Sequence, residues 1–312
     1  MPWRQVIEAE ELLDDPAVTG KSVADWLRGA GVEDVTVRTV TEAKGSTDFI
    51  KVVIPGSAGR TAGGDAPTLG VIGRLGGIGA RPEQIGFVSD GDGALTVVTV
   101  AAKLATMRKR GDVLPGDVVL TTHICPNAPT RPHDPVPFMD SPVAFATTNE
   151  YEVDERMDAI LSVDTTKGNR ILNHRGFALT PTIKEGWILR VREDLLNVAA
   201  ITTGAHPVVL PVTTQDITPY GNGVHHINSL LQPSVATTAP VVGVAITTES
   251  AVPGSATGAT DLTSVESAAR FCIEAAKEFG AGRAQFYDRD EFALLERTYG
   301  SLNHLRGEAA AR

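Results

Sequence analysis

Between Ile85 and His123 the spacing of apolar residues changes twice, and this restricts the fold more than anything else in the chain. The run IGFVS reads as a short strand and leads straight into SDGDGA. Beyond it Val97, Val100, Ala101, Leu104 and Met107 recur at the period of a helix, which closes on the basic MRKRG. DVVLTTH then returns to a short apolar strand. Strands alternating with helices at this spacing imply a largely parallel sheet covered on both faces.

The same alternation runs through most of the chain. SVADWLRGAG predicts a helix, VTVRTVT and DFIKVVIP predict strands, and the Gly-rich GSAGRTAGGDAP predicts a loop before the strand TLGVIGRL. Further strands are expected at AILSVD, PVVLPV and PVVGVAIT, and helices at LRVREDLLNVAAITTG and from the capping box Thr263-Ser264-Val265-Glu266 to Gly280. The expected architecture is a three-layer α/β/α sandwich with a mainly parallel mixed sheet. It forms a single domain over 1–312, with its core at 34–280, an N-terminal helical segment 1–33 and a C-terminal helical tail 281–312.

A formal charge of −10 argues against nucleic acid and anionic membrane as partners, since both call for a basic face. No apolar run approaches a bilayer span, and the start, MPWRQVIEAEELLDDP, is acidic where a signal peptide is basic, so a cytoplasmic location is expected. Two cysteines, Cys125 and Cys272, are too few for a disulfide framework; Cys272 reads as a small core residue.

Ligands of open α/β sheets gather beyond the C-terminal strand ends. Four places there carry polar residues: Ser89-Asp90-Gly91-Asp92, Thr122-His123, Asp164-Thr165-Thr166 and Thr247-Thr248-Glu249-Ser250. Asp90 is either an N-cap or a metal-bridging carboxylate, and Asp92 shares that role or is the cap itself. Asp164 ends a buried apolar run, where a carboxylate needs a cation or hydrogen bonds; the bland alternative is a turn on the Thr165 and Thr166 amides. His123-Ile124-Cys125 opens a stretch with five prolines, TTHICPNAPTRPHDPVPFMD, expected to be a stiff loop that leaves the sheet. A structural zinc site there lacks ligands. GRLGGIG lacks the spacing of a dinucleotide loop.

The order of these features resembles the dinuclear zinc aminopeptidases, the superfamily of bacterial leucyl aminopeptidase and the tetrahedral aminopeptidases. The segments that carry the likeness are IGFVSDGDGALTVVTVAAKLATMRKRGDVLPGDVVLTTH, SVDTTKGN and VGVAITTESAVPGSATGATDLTSVESAARF, within residues 68 to 280. Asp90 and Asp164 match ligand positions of that superfamily. Its His-x-Asp is replaced by Arg74-Leu75-Gly76, its Glu-Glu pair by His123-Ile124-Cys125, and its late His by Glu249 or by nothing. The whole chain also resembles a bacterial and archaeal family designated domain of unknown function 1177.

The resemblance implies a hydrolase of amide bonds in small peptides or amino-acid derivatives, and a homo-oligomer. A divalent metal, zinc or manganese, is expected on Asp90 and Asp164, with His123 and Glu249 as further ligands or as the catalytic base. Arg74, His225 and Cys125 are the expected substrate contacts, His225 because its loop, PYGNGVHHINSL, resembles one that lies near the substrate. One alternative is a metal-free protein that keeps the fold and binds a small anion through Arg74 and the helix N-terminus at Gly91 to Ala94. The other is a hydrolase or isomerase that depends on Cys125.

Overall fold

The computed structural model describes residues 1–74, 76–79, 86–132, 138–166, 168–212, 227–249 and 260–306. Two helices, α1 (Trp3–Leu13) and α2 (Gly20–Ala30), precede the hairpin of β1 (Asp34–Glu42) and β2 (Gly45–Ile54). α2 starts where it does because Thr19 and Ser22 form a reciprocal capping box: Ser22 N donates to Thr19 Oγ1 at 3.1 Å, and Thr19 N to Ser22 Oγ at 2.9 Å. There follow β3 (Leu69–Gly73), α3 (Asp92–Lys109), β4 (Val118–Ile124), a small ribbon of β5 (Thr130–Arg131) with β6 (Phe138–Met139), α4 (Phe145–Glu152) and β7 (Ala159–Thr165). The last part holds β8 (Gly176–Leu179), β9 (Thr182–Lys184), β10 (Trp187–Leu189), α5 (Glu193–Thr203), β11 (Val208–Val209), β12 (Val241–Thr247), α6 (Leu262–Gly280) and α7 (Arg289–Tyr299).

Ten of these strands make one sheet in the order β1-β2-β4-β3-β7-β12-β8-β11, with β9 pairing both β12 and β10. Its centre, β4-β3-β7-β12, is parallel, while β1, β2, β8, β9 and β10 are joined to it or to each other antiparallel. The architecture is therefore an α/β sandwich with a mixed sheet, parallel where the site lies.

The two faces are covered unequally. α3 lies on β2, β3, β4 and β7, and α6 on β3, β8 and β12, while α1, α2 and α5 pack against these two helices. α3 is buried nearly all round, which is why so few of its positions from Asp92 to Met107 are polar and exposed. Among the described residues, the helical cover of the opposite face is α4, on β2 and β4, and a 3-10 segment Ser229–Val235, on β7, β9 and β12. Alternation along the strands sorts the side chains: Val118, Leu120, Leu69, Val71, Leu161 and Val163 face the thick layer, and Val119, Ile72 and Ile160 face the thin one.

Four expectations change in detail. IGFVS does not form a strand in its described part, because Val88 turns its amide onto Ile78 O at 3.0 Å instead of onto a neighbouring strand; β3 is the strand that feeds α3. The segment 189–204 divides into Leu189, which ends β10, and α5, which begins at Glu193. PVVLPV contributes only Val208–Val209 to the sheet, between prolines 207 and 211. α6 starts earlier than its expected capping box, with Asp261 as N-cap accepting from Thr263 N, which leaves Glu266 for another use.

Candidate functional site

Three strand ends of the parallel centre meet on the thin face. Gly73, the last residue of β3, is level with Thr122 of β4 and Val163 of β7. One residue further on, His123, Arg74 and Asp164 stand in a row across neighbouring strands, about 4.8 Å apart. Arg74 N still donates to Val163 O at 2.8 Å, so the row is held by the ladder. All three are buried, each no more than 5% exposed.

A continuous chain of polar contacts ties this row to the thin layer. The Arg74 guanidinium donates from Nη1 to Glu152 Oε2 at 2.7 Å and to Asn149 Oδ1 at 3.2 Å, and from Nη2 to Gln232 Oε1 at 2.6 Å. Glu152 is the last residue of α4, and its other oxygen lies 2.6 Å from His123 Nδ1. Gly76 N donates to His123 Nε2 at 3.0 Å. A backbone amide can only donate, so Nε2 presents its lone pair and the ring proton sits on Nδ1, directed at Glu152. The imidazole is thereby neutral, and Arg74 balances the carboxylate. Phe49 of β2 lies against the His123 ring, with centroids 5.5 Å apart, and closes it from the side. Gly76 is required by close approach, since a Cβ there would fall 1.6 Å from His123 O.

Asp90 sits in the 3-10 turn Ser89–Gly91, which packs on β7 and leads into α3. The start of α3 can come this near because residue 93 is glycine: a Cβ there would lie 2.3 Å from Arg74 O and 2.7 Å from Val163 O. Asp92, fully buried, is not the cap; it accepts from Thr165 Oγ1 and from Thr260 Oγ1, both at 2.9 Å, and ties β7 to the approach of α6. Asp164 Oδ1 accepts from Thr165 N at 2.6 Å, the turn contact expected of a strand-end Asp. Two fully buried hydroxyls on this rim, Ser89 Oγ beside Asp90 and Thr247 Oγ1 at the end of β12, have no hydrogen-bond partner among the described residues.

The four polar strand ends noted in the sequence thus gather at one edge of the sheet, but not every side chain is placed for its expected task. His123 has both ring nitrogens engaged and offers no lone pair to a metal or a proton in flight. The Arg74 fork is filled by Glu152, Asn149 and Gln232, which leaves no guanidinium edge for a substrate carboxylate. Glu249 is exposed beyond β12. Cys125, 3% exposed, lies in an apolar cluster with Val88, Ala128 and Met139, with its sulfur 3.5 Å from Ser46 O, a burial that disfavours the thiolate. His225 lies outside the described residues. Among the described residues, no three His, Cys, Asp or Glu side chains form a group able to hold a metal ion.

Glu152, Asn149 and Gln232 were not foreseen. The only sequence signal for them was Arg74 itself, a charge at the end of an apolar strand that must find a buried anion. Nothing in NEYE or LLQPS marks which residues answer it.

Together the fold and this edge define an α/β sandwich with buried polar side chains gathered at the C-terminal ends of a parallel β4-β3-β7-β12 core. The chain belongs to the family described as Protein of unknown function (DUF1177), whose model matches residues 38–309. Among solved structures it is similar to the LapA aminopeptidase of Legionella pneumophila, at 12% identity and a TM-score of 0.46 over 91% of this chain and 70% of that one. A search of curated proteins finds no match. No helix among the described residues is long and apolar enough to cross a membrane.

Proposed function

We propose that the chain is a hydrolase of amide bonds in short peptides or amino-acid derivatives, acting at the edge where Asp90 and Asp164 lie. The observation that carries this reading is that two carboxylates from separate elements, each 3% exposed, stand at the C-terminal mouth of the parallel strands. The donor set suits a divalent ion of the magnesium or manganese kind, which keeps several waters and takes one or two carboxylates, better than zinc, which asks for histidine or thiolate ligands that the described residues do not free. Such an ion would polarise the scissile carbonyl and acidify a bound water.

The remaining groups have positional tasks in this reading. The Arg74–Glu152–His123 chain fixes the ends of β3 and β4 relative to α4, so that the floor of the site does not shift when substrate binds. Ser89 and Thr247 hold buried hydroxyls ready to meet polar atoms of a substrate or its water. Glu249 stands at the solvent side of the same edge and is the carboxylate left to receive a proton.

The test is metal content together with hydrolysis of a dipeptide and aminoacyl-amide panel, for the wild type and for Asp90→Asn, Asp164→Asn and Glu249→Gln. Manganese-supported turnover that both Asp variants lose, with Glu249→Gln keeping the ion but losing rate, is the expected result. A wild type that neither retains added manganese nor cleaves any member of the panel would sink the reading.

A further inference from the structure

On the thick side of the sheet, well separated in sequence from Asp90 and Arg74, a cavity of about 330 Å³ opens between α5, α6 and the edge formed by β8 and β11. Trp3, Phe177, His206, Thr263, Glu266 and Arg270 are among the residues that line it. Glu266 and Arg270 are neighbours on α6, joined by Arg270 Nη2 to Glu266 Oε2 at 3.0 Å. Each keeps one further polar atom that is buried and has no partner, Oε1 of Glu266 and Nε of Arg270. Glu266 is only 1% exposed, so water does not simply bathe its free oxygen.

We propose that this cavity binds a free α-amino acid. The two orphaned atoms are of opposite sense: one can only accept, the other only donate. A ligand that satisfies both must bring a donor and an acceptor within a few bonds of each other. An ammonium and a carboxylate on one carbon do so, and each meets a charged partner, which makes the hydrogen bonds strong. Arg270, with 27% of its side chain exposed, is the part that turns to admit the carboxylate, while Glu266 takes the ammonium. Trp3 and Phe177 supply an apolar wall for the ligand's side chain, and the volume admits a whole amino acid. Arg175, exposed on the lining and 3.6 Å from Asp261, is a second guanidinium within reach of a ligand carboxylate, which a simple amine lacks. His174 takes no part, because its Nε2 is engaged by Phe177 O at 3.0 Å. The inference does not depend on the hydrolase reading, as it uses none of the same residues.

The experiment is calorimetric titration of the full chain with each of the twenty free amino acids, with tryptophan fluorescence as a second readout. At least one amino acid is expected to give saturable heat at millimolar concentration or below. Its N-acetyl and its amide forms should bind more weakly, each on the order of tenfold. Glu266→Gln and Arg270→Lys should weaken the free form similarly, while Trp3→Phe should abolish the fluorescence change and keep the heat. Asp90→Asn should bind as the wild type does. The proposal is overturned if no amino acid binds saturably, if the blocked forms bind as well as the free one, or if Asp90→Asn removes the binding. Since the blocked forms are tested on wild-type protein, an α6 variant that fails to fold does not rescue it.

Discussion

At Glu152 a single carboxylate neutralises a buried arginine and orients a buried histidine, and this concentration of tasks makes it the most sensitive residue of the thin face. Glu152→Gln leaves Arg74 without a counter-charge in an environment closed to water, and should lower unfolding free energy by about 3–5 kcal/mol in urea titrations. Replacing Arg74 and Glu152 together by methionine should cost much less than the two single changes summed, because the pair carries its own desolvation penalty. The cysteines lead to a different test. Burial pushes the Cys272 thiol up to about 12, and Cys125 is closed within apolar side chains. Neither should react with Ellman's reagent until denaturant is added, when both should; fast reaction of one thiol in the native protein would reopen the nucleophile reading of Cys125. Asp90 and Asp164 were legible in the sequence because polar residues after apolar strands mark a sheet's C-terminal edge. The saturation of Arg74 and His123 was not, because their partners follow 78 and 29 residues later, at distances no local pattern records.

Among the elements, α3 and α4 set the site from opposite faces, and each has a position that can be tested. Gly93→Ala puts a methyl group against Arg74 O and Val163 O, lifts the start of α3 off the strand ends and should cost about 1–3 kcal/mol of stability. If the Asp90 turn rides on that contact, the variant should also lose manganese affinity; unchanged stability would show that the helix has room to move. α4 is joined to β7 through Asp154, which accepts from Arg156 Nε and Nη2 and from Lys51 Nζ, all at 2.8 Å. Those hydrogen bonds, chiefly from Arg156, hold its carboxyl far below the usual carboxylate range. The folded chain thus binds this proton more weakly than the unfolded one. Asp154 adds its full stability above about pH 4, where the unfolded carboxyl is ionised, and loses it as pH falls through the depressed folded value. Asp154→Asn should be less stable than wild type at pH 7, with a gap that narrows steadily below pH 4. α4 itself escaped the sequence reading because FATTNEYE is short and has no apolar stripe; the helix forms from its packing on β2 and β4, not from its own pattern.

For the whole molecule, periodicity revealed the sheet's parallel centre and its thick helical cover, since both write a long apolar signal into the sequence. It did not reveal the thin cover, where loops, one 3-10 segment and buried polar groups replace amphipathic helices. Native-state hydrogen exchange should reflect the difference: amides of β3, β4, β7 and β12 should exchange only with global unfolding, while α4 and residues 229–235 should open at lower cost. Slowest exchange in the β1–β2 hairpin instead would contradict this ordering. The chain of contacts around Arg74 also has a consequence for how the protein is made. Gln232 emerges from the ribosome 158 residues after Arg74, and Glu152 78 residues after it. Until α4 is synthesised the Arg74 guanidinium has water in place of Glu152, and β3 has no strand to join it to β2 before β4 follows. The strand ends at Arg74 are therefore closed last, by residues 78 and 158 positions further along the chain.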